Sequence, residues 1–199
     1  MARAASPTQM IILPIKEEFK IDEPSTPAGT VWSKILETLE NWAGFRRLYW
    51  GRHVEEGRVH LHIVRDSLHQ HYALLASPEW QQLCQRLTAL GVPSATSLVV
   101  RHAMMTEFSP QPKSLGNGAP VTGTAIYLTP DPAKWEATWA LWALWTTIVR
   151  EVPGCLGVTG GWMVERMEGQ LSFVVYWHRE YGYGHLVFAH SRTRPLASL

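Results

Sequence analysis

The sequence predicts an α+β fold in which one ferredoxin-like unit, β-α-β-β-α-β, occurs twice in tandem and the second copy is cut short. Three observations predict it. Segments of strand period and helix period follow one another in that order over residues 8–108. The stretch SPQPKSLGNGAP at 109–120 reads as a linker by its proline, glycine and serine. The same order then begins again over 121–199, but it runs out before a full second helix and a fourth strand both fit.

Each element has its own signal. Residues 1–7 read as a loose tail and Met10–Ile15 as a first strand, with Pro14 suited to an edge or bulge. A polar loop runs through Pro27. From Thr30, Trp32, Ile35, Leu36, Leu39 and Trp42 share one helical face, and Gly44 stops the helix. Phe45–Gly51 and Arg58–Arg65 read as a hairpin turning at Glu55-Glu56-Gly57. A helical region begins near Ser67. Within it, Ser77-Pro78-Glu79 supplies a cap, a first-turn proline and a first-turn acid. Trp80, Leu83, Cys84, Leu87 and Leu90 form its buried face, Gly91 ends it, and Ser97–Met105 is the next strand. In the second copy, Thr122–Leu128 is a strand and Pro132–Glu151 a helix ended by Gly154. Leu156–Glu165 and Gln170–His178 form a hairpin about Glu168-Gly169. Aligning Gly44 with Gly154 and Val59–Ile63 with Leu171–Val175 brings the two copies into register, more by glycine stops and alternation than by identity.

Composition narrows the function classes. In 199 residues, 46% are apolar and 18% charged, which is enough apolar surface for a sizeable core. A net charge of +1 gives no cause to expect nucleic acid or an anionic membrane as partner. The most apolar stretch, Trp135–Val149, is too short to span a bilayer and contains Glu136. No basic segment followed by an apolar run stands at the start, so a cytoplasmic protein is expected. Cys84 and Cys155 lack metal-ligand spacing and read as reduced thiols. Dinucleotide, Walker and Gly-x-Ser-x-Gly motifs are missing. No cofactor and no metal are expected.

Three segments carry a resemblance: the hairpin Phe45–Arg65, the pair His71-Tyr72, and Ser77-Pro78-Glu79-Trp80 opening a helix. With these the chain resembles the dimeric α+β barrel superfamily, most of all its antibiotic-biosynthesis-monooxygenase-like and polyketide-cyclase-like branch of tandem fungal type. The resemblance implies that two ferredoxin-like sheets pack face to face, here as an intramolecular barrel. It also implies chemistry without metal or organic cofactor: oxidation of anthrone-like phenols, polyketide ring closure, or isomerisation of lactones. Some relatives have no known activity, so the fold leaves function open.

In such a barrel, Val59, Leu61 and Ile63 would face helices, and His60 and His62 would face the interior, roughly 7 Å apart by the strand repeat. Two imidazoles so placed suit proton transfer near neutral pH. They also suit two solvated histidines on an open face. A metal at His60-x-His62 would need His102 or Asp66 as a third ligand. Tyr49, Trp50 and Arg47 lie on the adjacent strand, where a tyrosine can hold an enol oxygen and an arginine an enolate; cross-strand packing explains them equally. Arg101 and His102 point to opposite faces, and His102 is preferred for the cavity because Val100 and Met104 share its face. A tyrosine–histidine pair works as acid and base in the resembling cyclases, and Tyr72 with His71 is the nearest match here. His178 reads as a strand-end residue. Trp139, Trp142 and their helix, with Tyr176, read either as core and interface or as an aromatic wall for a flat ligand. The candidate catalytic set is therefore His60, His62, Tyr49, His102, Tyr72 and His71. The substrate-binding set is Arg47, Trp50, Met104, Trp139, Trp142 and Tyr176.

Three functions are compatible with these residues. The one placed first is a cofactor-independent enzyme of secondary metabolism that cyclises or isomerises a polyketide- or terpenoid-like substrate. The second is a cofactor-free monooxygenase acting on an electron-rich phenol or anthrone. The third is a non-catalytic binding or assembly protein. A small apolar or aromatic substrate and a homodimer are the expected partners.

Overall fold

The computed structural model describes residues 5–53, 56–107, 120–148, 154–179 and 187–193, with the backbone alone for Glu107, 142–148 and 187–193. The elements in chain order are β1 (Ser6–Leu13), α1 (Pro27–Asn41), β2 (Phe45–Arg52), β3 (Val59–Arg65), α2 (Leu68–Leu75), α3 (Pro78–Thr88) and β4 (Val99–Glu107). They continue with β5 (Val121–Thr129), α4 (Pro132–Ile148), β6 (Cys155–Met163), β7 (Leu171–Arg179) and β8 (Val187–Thr193). Two starts fall earlier than expected. Ser6 and Pro7 belong to β1 rather than to a tail. Helix α1 begins at Pro27, because Thr26 accepts the Gly29 N–H and Pro27 fills the first turn. The linker at 109–120 lies, apart from Pro120, outside the described residues. The aromatic stretch at 181–184 also lies outside them.

The eight strands among the described residues join one antiparallel sheet in the order β5-β7-β6-β4-β1-β3-β2-β8. The run β4-β1-β3-β2 is the ferredoxin-like order. Two pairings tie this run to the rest: β4 with β6, and β2 with β8. The ends of the sheet, β5 and β8, come within 8 Å of each other, and no hydrogen-bonded ladder joins them among the described residues. The sheet thus curls around an interior. The second half carries a fourth strand, β8.

Two layers of core follow from strand alternation. On the outer face, Ile11, Leu13, Leu48, Trp50, Val59, Leu61 and Ile63 pack against Trp32, Ile35, Leu36 and Leu39 of α1 and Leu83 and Leu87 of α3. Trp139 of α4 covers Val158, Phe173 and Val175 in the same way. On the inner face, Met10, Ala103, Met163, Val174 and Tyr176 meet across the interior. The hairpin from β6 to β7 turns where expected: Glu168 and Gly169 both have positive φ, as a tight primed turn requires. Cys84 and Cys155 are both free thiols.

One charged group is built into the outer core. Arg65 is wholly buried, and its guanidinium donates to the carbonyls of Leu39, Trp42 and Ala43 at 2.8, 3.2 and 3.3 Å. It therefore satisfies the orphan carbonyls at the end of α1 and meets the negative end of the helix dipole. Replacing it in Arg65→Met leaves those carbonyls buried without donors. The expected loss is about 3 kcal/mol, measured by denaturant unfolding.

Candidate active site

The inner face of β3 carries the first half of the site. With Val59, Leu61 and Ile63 committed to the helices, His60 and His62 point into the interior. Their rings lie nearly parallel, 6.5 Å apart, close to the strand repeat. The half-buried His53, just beyond β2, stacks on His60 at 5.6 Å. At the other end, the Tyr176 ring of β7 meets His62 edge-on at 4.9 Å. A row His53–His60–His62–Tyr176 thus leads from the partly exposed end of the hairpin into the centre. Tyr49 stands opposite His62 in the β2–β3 register and is buried. Arg47 shares that face but is exposed.

The second half of the site comes from β5, β6 and β7. His178 is wholly buried two residues beyond Tyr176, on the same face. Its two ring nitrogens lie 3.1 Å from the Thr122 hydroxyl and 3.0 Å from the Thr159 hydroxyl. The Tyr176 hydroxyl donates to the Met10 sulfur at 2.6 Å. A thioether is a weak acceptor, so this hydroxyl is readily surrendered to a better one.

Burial sets the electrostatics. Burial first, with His53 and Arg58 adding to it, lowers the His60 imidazole to about 4. Burial, then His60 and His178, hold His62 well below the ordinary histidine value. Burial alone lowers His178 to about 4 and drives the Tyr176 phenol far up. The interior at neutral pH therefore holds uncharged imidazoles and an un-ionised phenol between methionine and valine side chains.

Several expected residues lie elsewhere. On β4 the inward residues are Ala103 and Met105, which join the interior cluster, so His102 and Met104 face the helices instead. His102 meets His71 and Tyr72 of α2 there, with ring centroids at 5.5 and 4.8 Å, and its Nδ1 lies 2.6 Å from Glu165. These three candidate catalytic residues thus form a separate cluster across the sheet from His60 and His62. Trp50 packs edge-on against Trp32 in the outer core, and Trp139 packs on Phe173 and Trp135 under α4; neither lines the interior. The Trp142 side chain lies outside the described residues. Neither of the two residues considered as a third ligand for a metal at His60 and His62 converges on them: His102 faces away, and Asp66 pairs with Arg46 at the surface.

Sequence reasoning missed three inner-face residues. His178 alternates with Tyr176, and that alternation is the signal that finds it; Met10 lies on a strand where no inward position is recognised. His53 lies past the strand end and has no such signal.

Among the described residues, no helix is long and apolar enough to cross a membrane. No protein-family model matches the chain, and no curated protein sequence is similar enough to count as a relative. Solved structures do match. An anthrone oxidase-like protein superimposes with a TM-score of 0.63 at 12% identity, over 99% of this chain and 98% of its own. A candidate monooxygenase of Fusobacterium nucleatum superimposes with a TM-score of 0.51 at 11% identity, over 89% of this chain and 77% of its own. At such identities the likeness is one of fold.

Proposed function

We propose that the interior binds a flat, electron-rich phenol or anthrone and oxidises it with molecular oxygen. The observation that carries this reading is the row of uncharged imidazoles ending at Tyr176, enclosed by apolar side chains. In the reaction a ring methylene becomes a carbonyl: the methylene and one dioxygen molecule give the carbonyl and one water. The substrate carbon supplies all four electrons, and its two hydrogens leave in the water. One oxygen atom ends in the product and the other in water, so the balance needs no further reductant. His62 or His60, neutral and buried, takes the proton whose loss makes the substrate an electron-rich enolate. Tyr176 turns its hydroxyl from the Met10 sulfur to the developing oxygen anion, and Tyr49 offers a second donor.

Acid–base cyclisation, placed first by the sequence alone, needs a group that returns a proton at neutral pH. The un-ionised Tyr176 phenol, or an interior imidazole once it has taken a proton, supplies that return, so the interior groups serve either reaction. What supports oxidation over cyclisation is the anthrone oxidase-like neighbour, matched over nearly its whole length.

Assembly follows the same lines. Residues 8–108 and 121–199 are tandem ferredoxin-like units joined by 109–120, and they close on each other as an intramolecular barrel. The second unit is shortened in its helices. A homodimer contact would cover Ile126, Tyr127, Leu128 and Leu141, which are exposed.

The test is oxygen uptake with anthrone and no added flavin or metal. One dioxygen consumed per anthraquinone formed, and no turnover under nitrogen, is the expected result. Conversion of phenolic polyketides at full rate under nitrogen would return the reading to cyclisation.

A further inference from the structure

A second cluster of titratable groups lies on the helix-covered face, across the sheet from the interior row. We propose that Glu165, His102, Gln9 and His71 form one proton-binding site that locks the connection between β6 and β7 onto β4. Two backbone contacts define the lock. The His102 N–H donates to Glu165 Oε2 at 2.8 Å, and the Val164 N–H donates to the His102 carbonyl at 2.8 Å. The ring completes it: Nδ1–H donates to Glu165 Oε1 at 2.6 Å, and Nε2 accepts from the Gln9 amide nitrogen at 3.4 Å. His102 is thus neutral in this arrangement.

Two buried acceptors are then left without a donor, Gln9 Oε1 and His71 Nδ1. His71 Nδ1 is an acceptor because Nε2–H is spent on the Pro7 carbonyl at 3.4 Å. Both residues are wholly buried. Such atoms are destabilising until they are paired. One proton on His102 Nε2 pairs both. The ring then donates from both nitrogens, and a half-turn of the Gln9 amide presents its oxygen to Nε2–H. The same half-turn carries the amide nitrogen and its two hydrogens away from His102 into the place the amide oxygen held, where they are available to His71 Nδ1, whose ring lies 5.5 Å from that of His102. Glu165 now faces an imidazolium, and the bond between them becomes charge-assisted.

The groups facing His102 are Gln9 from β1, His71 and Tyr72 from α2, and Glu165 from the β6–β7 connection. Arg65 of β3 acts on His71, and Arg101, next to His102 on β4, points to the interior face. Among these described groups Glu165 is the carboxylate, so it is the partner that makes protonation favourable. The site stands on these contacts and is independent of what the interior binds.

The experiment is side-chain nitrogen NMR of the full chain, labelled at histidine and glutamine. It runs from about pH 8 to about pH 5.5, across the ordinary histidine range, wherever tryptophan fluorescence shows the fold unchanged. The expected result is that His102 gains a proton at Nε2 while the Gln9 amide and His71 Nδ1 signals move with the same midpoint. In Gln9→Met, His71 Nδ1 should no longer follow His102. Hydrogen-exchange protection of the Val164 amide should rise about fivefold on protonation, and in Glu165→Gln it should stay constant. The proposal is overturned if His102 keeps one tautomer throughout, if the Gln9 amide does not move with it, or if His71 follows equally in Gln9→Met.

Discussion

His62→Ala lowers kcat/KM for anthrone oxidation by about 10²–10⁴, the usual range for loss of a positioned base. His62 meets the Tyr176 ring edge-on and is almost fully buried, so no solvent molecule replaces it without cost. Tyr176→Phe keeps the ring that packs on His62 and removes only the hydroxyl. The expected fall is about 10²–10³ in kcat with little change in KM, because the bond to the enolate oxygen forms only as charge develops. His60→Ala gives a loss of the same kind as His62→Ala. His102→Gln, on the opposite face of the sheet, leaves kcat/KM within about threefold, the background of a distant change. Steady-state oxygen uptake checks all four. Equal losses in His62→Ala and His102→Gln would mean that the reaction uses the other face.

Acid sensitivity is the second large effect. His62, His71 and His178 are almost wholly buried, and each holds its proton more weakly folded than unfolded: well below the ordinary value for His62, about 3 for His71 and about 4 for His178. The unfolded chain therefore binds more protons below about pH 6.5. Stability is complete above that pH and is lost as pH falls towards 4. Each such histidine adds a slope of about 1.4 kcal/mol per pH unit once inside the window, and the three together about 4 kcal/mol. That slope exhausts an ordinary domain stability within a few pH units. Denaturant unfolding at a series of pH values measures it. His178→Asn keeps an amide between Thr122 and Thr159 but cannot titrate, so it should flatten the slope by one histidine. A slope unchanged in that variant would contradict the role of buried neutral histidines.

Much of the fold is legible in the sequence because alternation and caps are local. Val59, Leu61 and Ile63 have to share a face, Ser77-Pro78 has to open a helix, and Glu168-Gly169 has to turn a hairpin. What is not legible depends on which face meets which layer. Strand alternation puts Val100, His102 and Met104 together, but it does not say whether they face helices or interior; Ala103 and Met105 decide that through contacts with the distant Met163 and Val174. The same limit misplaces Trp50, whose neighbour Trp32 lies on a helix. Helix α4 is apolar on nearly every side, so its pattern offers no reason to choose between wall and core; Phe173 and Val158 make Trp139 core. Comparison with Asp66 makes His178 look like a strand end, although its alternation with Val174 and Tyr176 points inward. Glu165 looks like a strand end as well. Its contact with His102 joins residues 63 positions apart, which no local pattern reveals.

The oxidation chemistry stands or falls on where the substrate sits, and that place is inside the curled sheet. A crystal structure of the chain with anthraquinone bound decides it. The quinone should lie inside the curled sheet against His60, His62 and Tyr176, with a carbonyl oxygen about 2.7 Å from the Tyr176 hydroxyl. Anthraquinone seated beneath α2, against Tyr72 and His102, would refute the interior site.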